Sequence, residues 1–165
     1  MSRPVPWLSP LVLLVAAACT GAPQTPEDKR VAECEATREA NESLADSGEV
    51  EATFKMGQLY DVGCGVPHRP AYAYLNYLYA AERGHAEAAF RVGGFYLGKG
   101  SVRRSWERAL FWFAVAERNP ALSPQDRRYI QTTRASYLNQ TLGRGGGDRL
   151  KHAEEKAAAW VPRTD

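Results

Sequence analysis

The fold is decided by the stretch Glu51–Val66, which reads EATFKMGQLYDVGCGV and returns 36 residues later as EAAFRVGGFYLGKGSV. The shift superimposes these pairs: Ala52 and Ala88, Phe54 and Phe90, Gly57 and Gly93, Tyr60 and Tyr96, Val66 and Val102, Ala73 and Ala109, Tyr77 and Phe113, Ala80 and Ala116. Gly48 and Gly84 are related in the same way. The register therefore runs through three successive units without an insertion, which indicates a repeat protein.

The spacing inside each unit is helical. Ala52, Met56 and Tyr60 are four residues apart and share one helix face, and a second face follows from Ala73 to Ala81. Small residues beside aromatic ones allow two helices to pack closely. One helix–turn–helix unit is too small to bury its own apolar face, so it must stack on the next unit. The pattern predicts an all-α fold, a short α-solenoid with capping helices at both ends.

The motif resembles the Sel-one-like repeat, a relative of the tetratricopeptide repeat. The first copy carries it in Ala52, Gly57, Tyr60, Gly63, Gly65, Val66, Ala73, Tyr77, Ala80, Ala81 and Gly84. The second copy carries it in Ala88, Gly93, Tyr96, Val102, Ala109, Trp112, Phe113 and Ala116. Asn76 stands where the family has Trp, Arg69 stands where it has a capping Asp, and LGKGSV displaces the glycines of the second turn. The resemblance implies a protein that binds other proteins along an extended groove and performs no chemistry.

The repeats divide the chain into six parts. We expect a signal peptide at 1–18, a tether at 19–28, an N-terminal capping helix at 29–48, repeat 1 at 49–84, repeat 2 at 85–120 and a C-terminal capping helix pair at 121–165. The first capping helix should run from about Glu27 to Asp46. Ser123 should start the first helix of the C-terminal pair and Asp148 should cap the second, because both side chains suit a helix N-terminus. The glycines of GRGGG favour a flexible link between these two helices over a phosphate loop.

The N-terminus, MSRPVPWLSPLVLLVAAAC, is typical of a secretory signal. Small residues before Cys19 resemble the lipobox of bacterial lipoproteins, which implies acylation of Cys19 and attachment to a membrane. An ordinary signal peptide cleaved nearby is the alternative. Thr20 follows the cysteine and, by the family's sorting pattern, favours the outer membrane facing the periplasm. Pro-rich, polar residues 20–28 are typical of a tether.

Two further cysteines, Cys34 and Cys64, fall near the same end of the predicted helical hairpin around Gly48. Export to an oxidising compartment favours a disulfide between them, and two unpaired buried thiols are the alternative. The Cys64 thiol could be a catalytic nucleophile with His68 as its base, but the sequence offers no third residue to complete such a site. Metal ligation by the same residues lacks close ligand pairs. We therefore expect no catalytic residue, metal or cofactor.

The side of the first repeat helix opposite its core is the predicted binding face. Its partner-binding residues would be Phe54, Lys55, Gln58, Phe90 and Arg91, and Gly94 would let a partner's backbone approach. Charge is uneven, with six basic and eleven acidic residues in 19–84 against fourteen and eight in 85–165. The basic half could meet an acidic protein partner, or the charges could be ordinary solvated groups.

The sequence thus predicts an envelope lipoprotein that serves as a protein–protein interaction scaffold or adaptor. A cell-wall-associated enzyme or inhibitor subunit is the second hypothesis, although no paired carboxylates or hydrolase motif support catalysis. An exported protein is not expected to bind nucleic acid.

Overall fold

The computed structural model describes residues 25–99 and 102–164, and these residues fold into helices without a strand. The helices are α1 (Pro26–Asp46), α2 (Val50–Val62), α3 (Pro70–Glu82), α4 (Ala86–Gly94), α5 (Trp106–Arg118), α6 (Pro124–Gln140) and α7 (Gly146–Ala159). A π-helical segment, Phe95–Lys99, extends α4. The predicted all-α fold is confirmed, and α1 agrees closely with the predicted capping helix.

Polar side chains start most of these helices by accepting hydrogen bonds from otherwise unpaired backbone N–H groups. Thr25 and Asp28 form a capping box on α1, and Ser123 caps α6 as predicted. The prediction for Asp148 is wrong, because α7 begins two residues earlier. Gly145 holds the preceding position with a φ of 72° and gives no side-chain cap, which leaves Asp148 in the first turn.

The helices stack in sequence order. Each of α1 to α4 packs on the helix that follows it, and α7 packs on α5. Alanines that are fully buried make the close approach possible, among them Ala73, Ala80, Ala88, Ala109 and Ala116. Gly57 and Gly93 do the same at equivalent positions. A Cβ atom there would lie 2.8 Å from the Tyr77 ring and 2.5 Å from the Phe113 ring, respectively.

The ends of the helices form two edges of the stack. One edge, which we call the upper edge, carries the connections from α2 to α3, from the π-helical segment to α5 and from α6 to α7. Arg69 N–H donates to the Tyr60 carbonyl at 3.0 Å, and Ser105 N–H donates to the Tyr96 carbonyl at 2.9 Å. The turns that follow the first helix of each predicted repeat are therefore alike. The lower edge carries the other connections and the C-terminal tail, whose Arg163 N–H donates to the Glu82 carbonyl at 2.8 Å.

Candidate functional site

A groove of about 240 Å³ opens where the ends of α2 and α4 meet α6. We call it the inter-repeat groove. Its lining combines aromatic rings, two cations, one carboxylate and one residue without a side chain: Asp61, Phe90, Arg91, Gly94, Phe95, Lys99 and Tyr129. These residues come from both repeats and from the C-terminal cap, so the groove exists only because the units stack.

The aromatic wall of the inter-repeat groove is held by ring contacts. Tyr129 of α6 meets the edge of Phe90 with ring centroids 5.5 Å apart, and it contacts the buried Phe113 at 6.4 Å. Tyr129 remains 38% exposed. Its position against two rings limits its rotation, which lowers the entropy cost of binding an apolar group there.

The cations lie on the α4 side of the groove. Arg91 donates to Glu87 at 2.8 Å. Partial burial lowers the pKa of Arg91, but the hydrogen bond to Glu87 together with the charges of Glu87 and Asp126 and the nearby Tyr77 holds that pKa above its usual value. Arg91 Nε is buried without a hydrogen-bond partner among the described residues. Lys99 Nζ lies 5.4 Å from the centroid of the Tyr129 ring, so this cation lies over the aromatic wall.

The carboxylate of Asp61 faces this site from the end of α2. The Tyr77 hydroxyl donates to Asp61 Oδ2 at 3.3 Å. Burial raises the pKa of Tyr77, and the charge of Asp61 raises it further. The hydroxyl therefore stays protonated and orients the carboxylate. The groove has an aromatic wall between groups of opposite charge, and its described lining residues include no nucleophile with an adjacent base.

Two of the five predicted binding residues, Phe90 and Arg91, line the groove together with Gly94. The placement of Phe54 on the surface is wrong. Phe54 is only 4% exposed because its ring stacks on His85 at 4.1 Å. Lys55 lies outside the groove beside Glu51, at 3.6 Å, and the half-buried Gln58 does not line it.

Sequence reasoning missed Asp61, Lys99 and Tyr129. Asp61 had a usable signal, since it follows the repeat tyrosine at the end of the first helix. The repeat pattern gave no indication of Tyr129, because this residue lies in the capping helix α6, outside the repeats. Its side chain reaches the groove only through the way α6 packs beside α4.

The predicted disulfide is present between Cys34 and Cys64. Their Cα atoms are 5.2 Å apart, within the range of disulfides. The bond ties the middle of α1 to the turn after α2. Both cysteines are thereby used structurally, and no group of three or more potential metal ligands occurs in the described part of the chain.

Cys19 lies outside the described residues, as do the predicted signal peptide and most of the predicted tether. No described helix has the length and apolar character needed to cross a bilayer. No protein-family model matches the chain, and comparison with curated proteins finds no match. The repeat resemblance therefore rests on the residues and spacing given above.

Proposed function

We propose that this chain is an envelope lipoprotein whose stacked repeats act as a protein–protein interaction scaffold or adaptor. The observation that carries the proposal is the inter-repeat groove, in which Arg91, Lys99 and Asp61 surround a fixed aromatic wall. Interfaces concentrate binding energy in aromatic and arginine residues at such places. The groove is suited to recognition rather than catalysis, and the proposal requires no cofactor or nucleic acid.

The chemistry of the groove defines the partner segment. An apolar side chain would pack on Phe90 and Tyr129, and a carboxylate on the same segment would meet Lys99 and Arg91. Asp61 would accept from an N–H or ammonium donor. Gly94 has no side chain, so a partner segment can approach the backbone of α4 closely at this position. A Cβ atom on Gly94 would meet only Lys99 Cδ, at 3.6 Å. The partner in this proposal is a protein segment with apolar and acidic groups.

Capture of partners from the envelope tests the groove directly. Photo-crosslinking followed by pull-down compares the wild type with Arg91→Glu/Lys99→Glu and with a control of equal charge change, Lys55→Glu/Lys151→Glu. Both control lysines lie outside the groove. We expect the groove variant to lose the partner while it remains folded, with a modest loss of melting temperature because Arg91→Glu replaces the ion pair with Glu87 by two like charges. Equal recovery by both variants would exclude this groove.

Membrane attachment is tested separately through Cys19. We expect Cys19→Ala to leave the protein unprocessed or released from the membrane fraction, because several acyl chains are needed for a stable anchor. Mass spectrometry of the mature N-terminus identifies the modification. A mature protein that begins elsewhere and carries no acyl mass would contradict this part of the proposal.

A further inference from the structure

The C-terminal end of the upper edge carries a cluster of exposed arginines, which we call the arginine patch: Arg103, Arg104, Arg108, Arg144 and Arg149. Two elements supply it, the start of α5 and the connection from α6 to α7. Trp106 and Tyr137 bring these elements together, with ring centroids 5.0 Å apart. None of the five arginines forms an ion pair with a carboxylate of the described residues.

Three of the guanidinium groups of the patch rest on uncharged partners. Arg104 lies over the Trp106 ring at 5.6 Å, and Arg108 donates to the Tyr96 hydroxyl at 3.4 Å. Arg149 donates to the Tyr137 hydroxyl and to the Arg144 carbonyl, both at 2.9 Å. Such contacts hold a side chain in place without neutralising it. These contacts therefore bring no negative charge to the patch.

Arginines of the lower edge are used differently. Arg118 donates to the Ala157 carbonyl, Arg127 donates to the carbonyls of Glu117 and Asn119, and Arg163 pairs with Glu82 at 2.9 Å. They fasten helices and the tail to one another. Of these three, only Arg163 is paired with a carboxylate, so the patch is distinguished by the clustering of five exposed arginines at one edge.

Acidic groups near the patch offset only part of its charge. Glu107 pairs with Lys156 at 3.4 Å, and Asp148 is the one other carboxylate in the first turns of α5 and α7. Three of the arginines, with Ser105, line an open cavity of about 310 Å³. Leu142, 82% exposed, projects beside Arg144. One guanidinium group can bind two oxygens of a phosphate at once. An exposed aliphatic side chain among basic residues suits the headgroup region of a bilayer.

The direction of α1 adds an independent argument. The disulfide to Cys64 places Cys34 at the upper edge, and Pro26 lies eight residues before Cys34, about 12 Å further out along the helix. The chain that precedes Thr25 therefore leaves the fold from this edge. If Cys19 is acylated, as in the proposed function, the six residues from Cys19 to Thr25 span at most about 20 Å. The anchor and the arginine patch then face the same membrane from opposite ends of the stack.

We propose that the arginine patch docks on a bilayer surface of anionic, phosphate-bearing lipid headgroups. The N-terminal anchor and the patch together make a two-point attachment that orients the repeats relative to the membrane. The attraction belongs to the folded domain and does not require acylation.

Binding to vesicles tests this with the full chain carrying Cys19→Ala, which cannot be acylated. Co-sedimentation is measured with phosphatidylglycerol-containing vesicles and with neutral phosphatidylcholine vesicles, whose binding gives the contribution of the N-terminal apolar segment. The patch variant is Arg103→Glu/Arg104→Glu/Arg144→Glu. The control is Lys55→Glu/Arg128→Glu/Arg163→Glu, which changes net charge equally away from the patch. Melting temperatures establish that both variants are folded.

We expect the anionic vesicles to bind the control and to bind the patch variant at least about tenfold more weakly, because each arginine near such a surface adds to the attraction. Equal binding by the two variants, or equal binding to neutral and anionic vesicles, would overturn the proposal. Loss of binding in inorganic phosphate at constant ionic strength would replace it with a single-anion site. Patch-dependent binding of polyglutamate without vesicle binding would replace it with an acidic protein partner.

The result is separable from the proposed function. Arg91→Glu/Lys99→Glu should keep its binding to anionic vesicles, and the patch variant should still capture the groove partner in the crosslinking experiment. If the patch does not bind anionic vesicles but partner capture is normal, only the membrane-docking proposal is wrong, and the proposed function is unaffected.

Discussion

Gly65 and Gly143 share a left-handed backbone, with φ of 67° and 72°, but their surroundings differ. A Cβ atom on Gly65 would lie 3.1 Å from the carbonyl carbon and oxygen of Cys34. A Cβ atom on Gly143 would meet nothing within 4 Å. We expect Gly143→Ala to cost about 1 kcal/mol from the backbone alone and Gly65→Ala to cost more.

Urea denaturation of the two variants measures this difference. Equal losses of unfolding free energy would show that the α1 backbone moves away from residue 65 without cost. The glycines on either side of Cys64 predict that the first repeat helix ends at Gly65 with a positive φ, and the positive φ is confirmed. The predicted position of the helix end is wrong: α2 ends at Val62, because Gly63 caps it in the left-handed conformation with a φ of 73°.

Gly93 and Gly94 offer a second comparison, now between neighbours on α4. A Cβ atom on Gly93 would lie 2.5 Å from Phe113, whose ring is fully buried. Gly93→Ala should therefore cost about 1–3 kcal/mol through overpacking. Gly94→Ala meets only the flexible Lys99 side chain and should be neutral or stabilise by up to about 1 kcal/mol, because alanine favours the helix.

Thermal unfolding monitored by circular dichroism distinguishes these outcomes. A stable Gly93→Ala protein would mean that α4 and α5 can separate without loss, contrary to the close packing described above. Repeat periodicity identified Gly93 as structural, since the shift pairs it with Gly57. It could not place Phe54 correctly, because that ring is covered by His85 from the following repeat.

At the scale of elements, α1 differs from the other helices in how little it buries. Cys34 and Asn41 are its only buried residues, and the Asn41 side chain bonds within the helix to the Thr37 carbonyl. Burial of apolar area therefore contributes little to docking α1 on α2. The Cys34–Cys64 disulfide is the principal constraint on this helix.

We expect reduction of the disulfide to loosen α1 before the repeats. The bond closes a loop with a sequence separation of 30, for which the chain-entropy model gives about 3–4 kcal/mol. Hydrogen exchange of reduced and oxidised protein should show lost protection concentrated in α1, with α4 and α5 little changed. A Cys34→Ser/Cys64→Ser variant provides the control for the reductant itself. Uniform loss of protection across all helices would contradict this independence.

The elements themselves were largely predictable from the sequence, since repeat spacing and Ser123 mark most helix starts. Two features were not. The side chain of Asp148 suits a helix N-terminus and was therefore predicted to cap α7. The helix starts after Gly145 instead, because the left-handed backbone of Gly145 makes the turn there. The inter-repeat groove depends on how α6 packs beside α4, and a repeat register contains no information on a helix outside the repeats.

At the scale of the whole molecule, stability depends on covering the last open face of the stack. The α7 helix does this by packing on α5, where Ala153 and Ala157 are fully buried. Trp160, at its end, meets the edge of Trp112 with ring centroids 6.0 Å apart. The tail then returns to the first repeat through Arg163 and Glu82. Removal of this cover would expose apolar surface shared by both repeats.

We therefore expect Ala157→Arg to destabilise the entire protein, whereas Ala158→Arg on the same helix should have little effect. The first change forces a charged side chain into a position with no exposed surface, beside the Arg118 guanidinium that donates to the Ala157 carbonyl. Burial of an unpaired charge, or the helix displacement that avoids it, costs several kcal/mol. Ala158 is exposed, and its replacement should change the unfolding free energy by less than about 0.5 kcal/mol.

Denaturation followed both by tryptophan fluorescence and by circular dichroism measures local and global unfolding together. If Ala157→Arg alters only the fluorescence transition, α7 is a peripheral addition and the two repeats are stable without it.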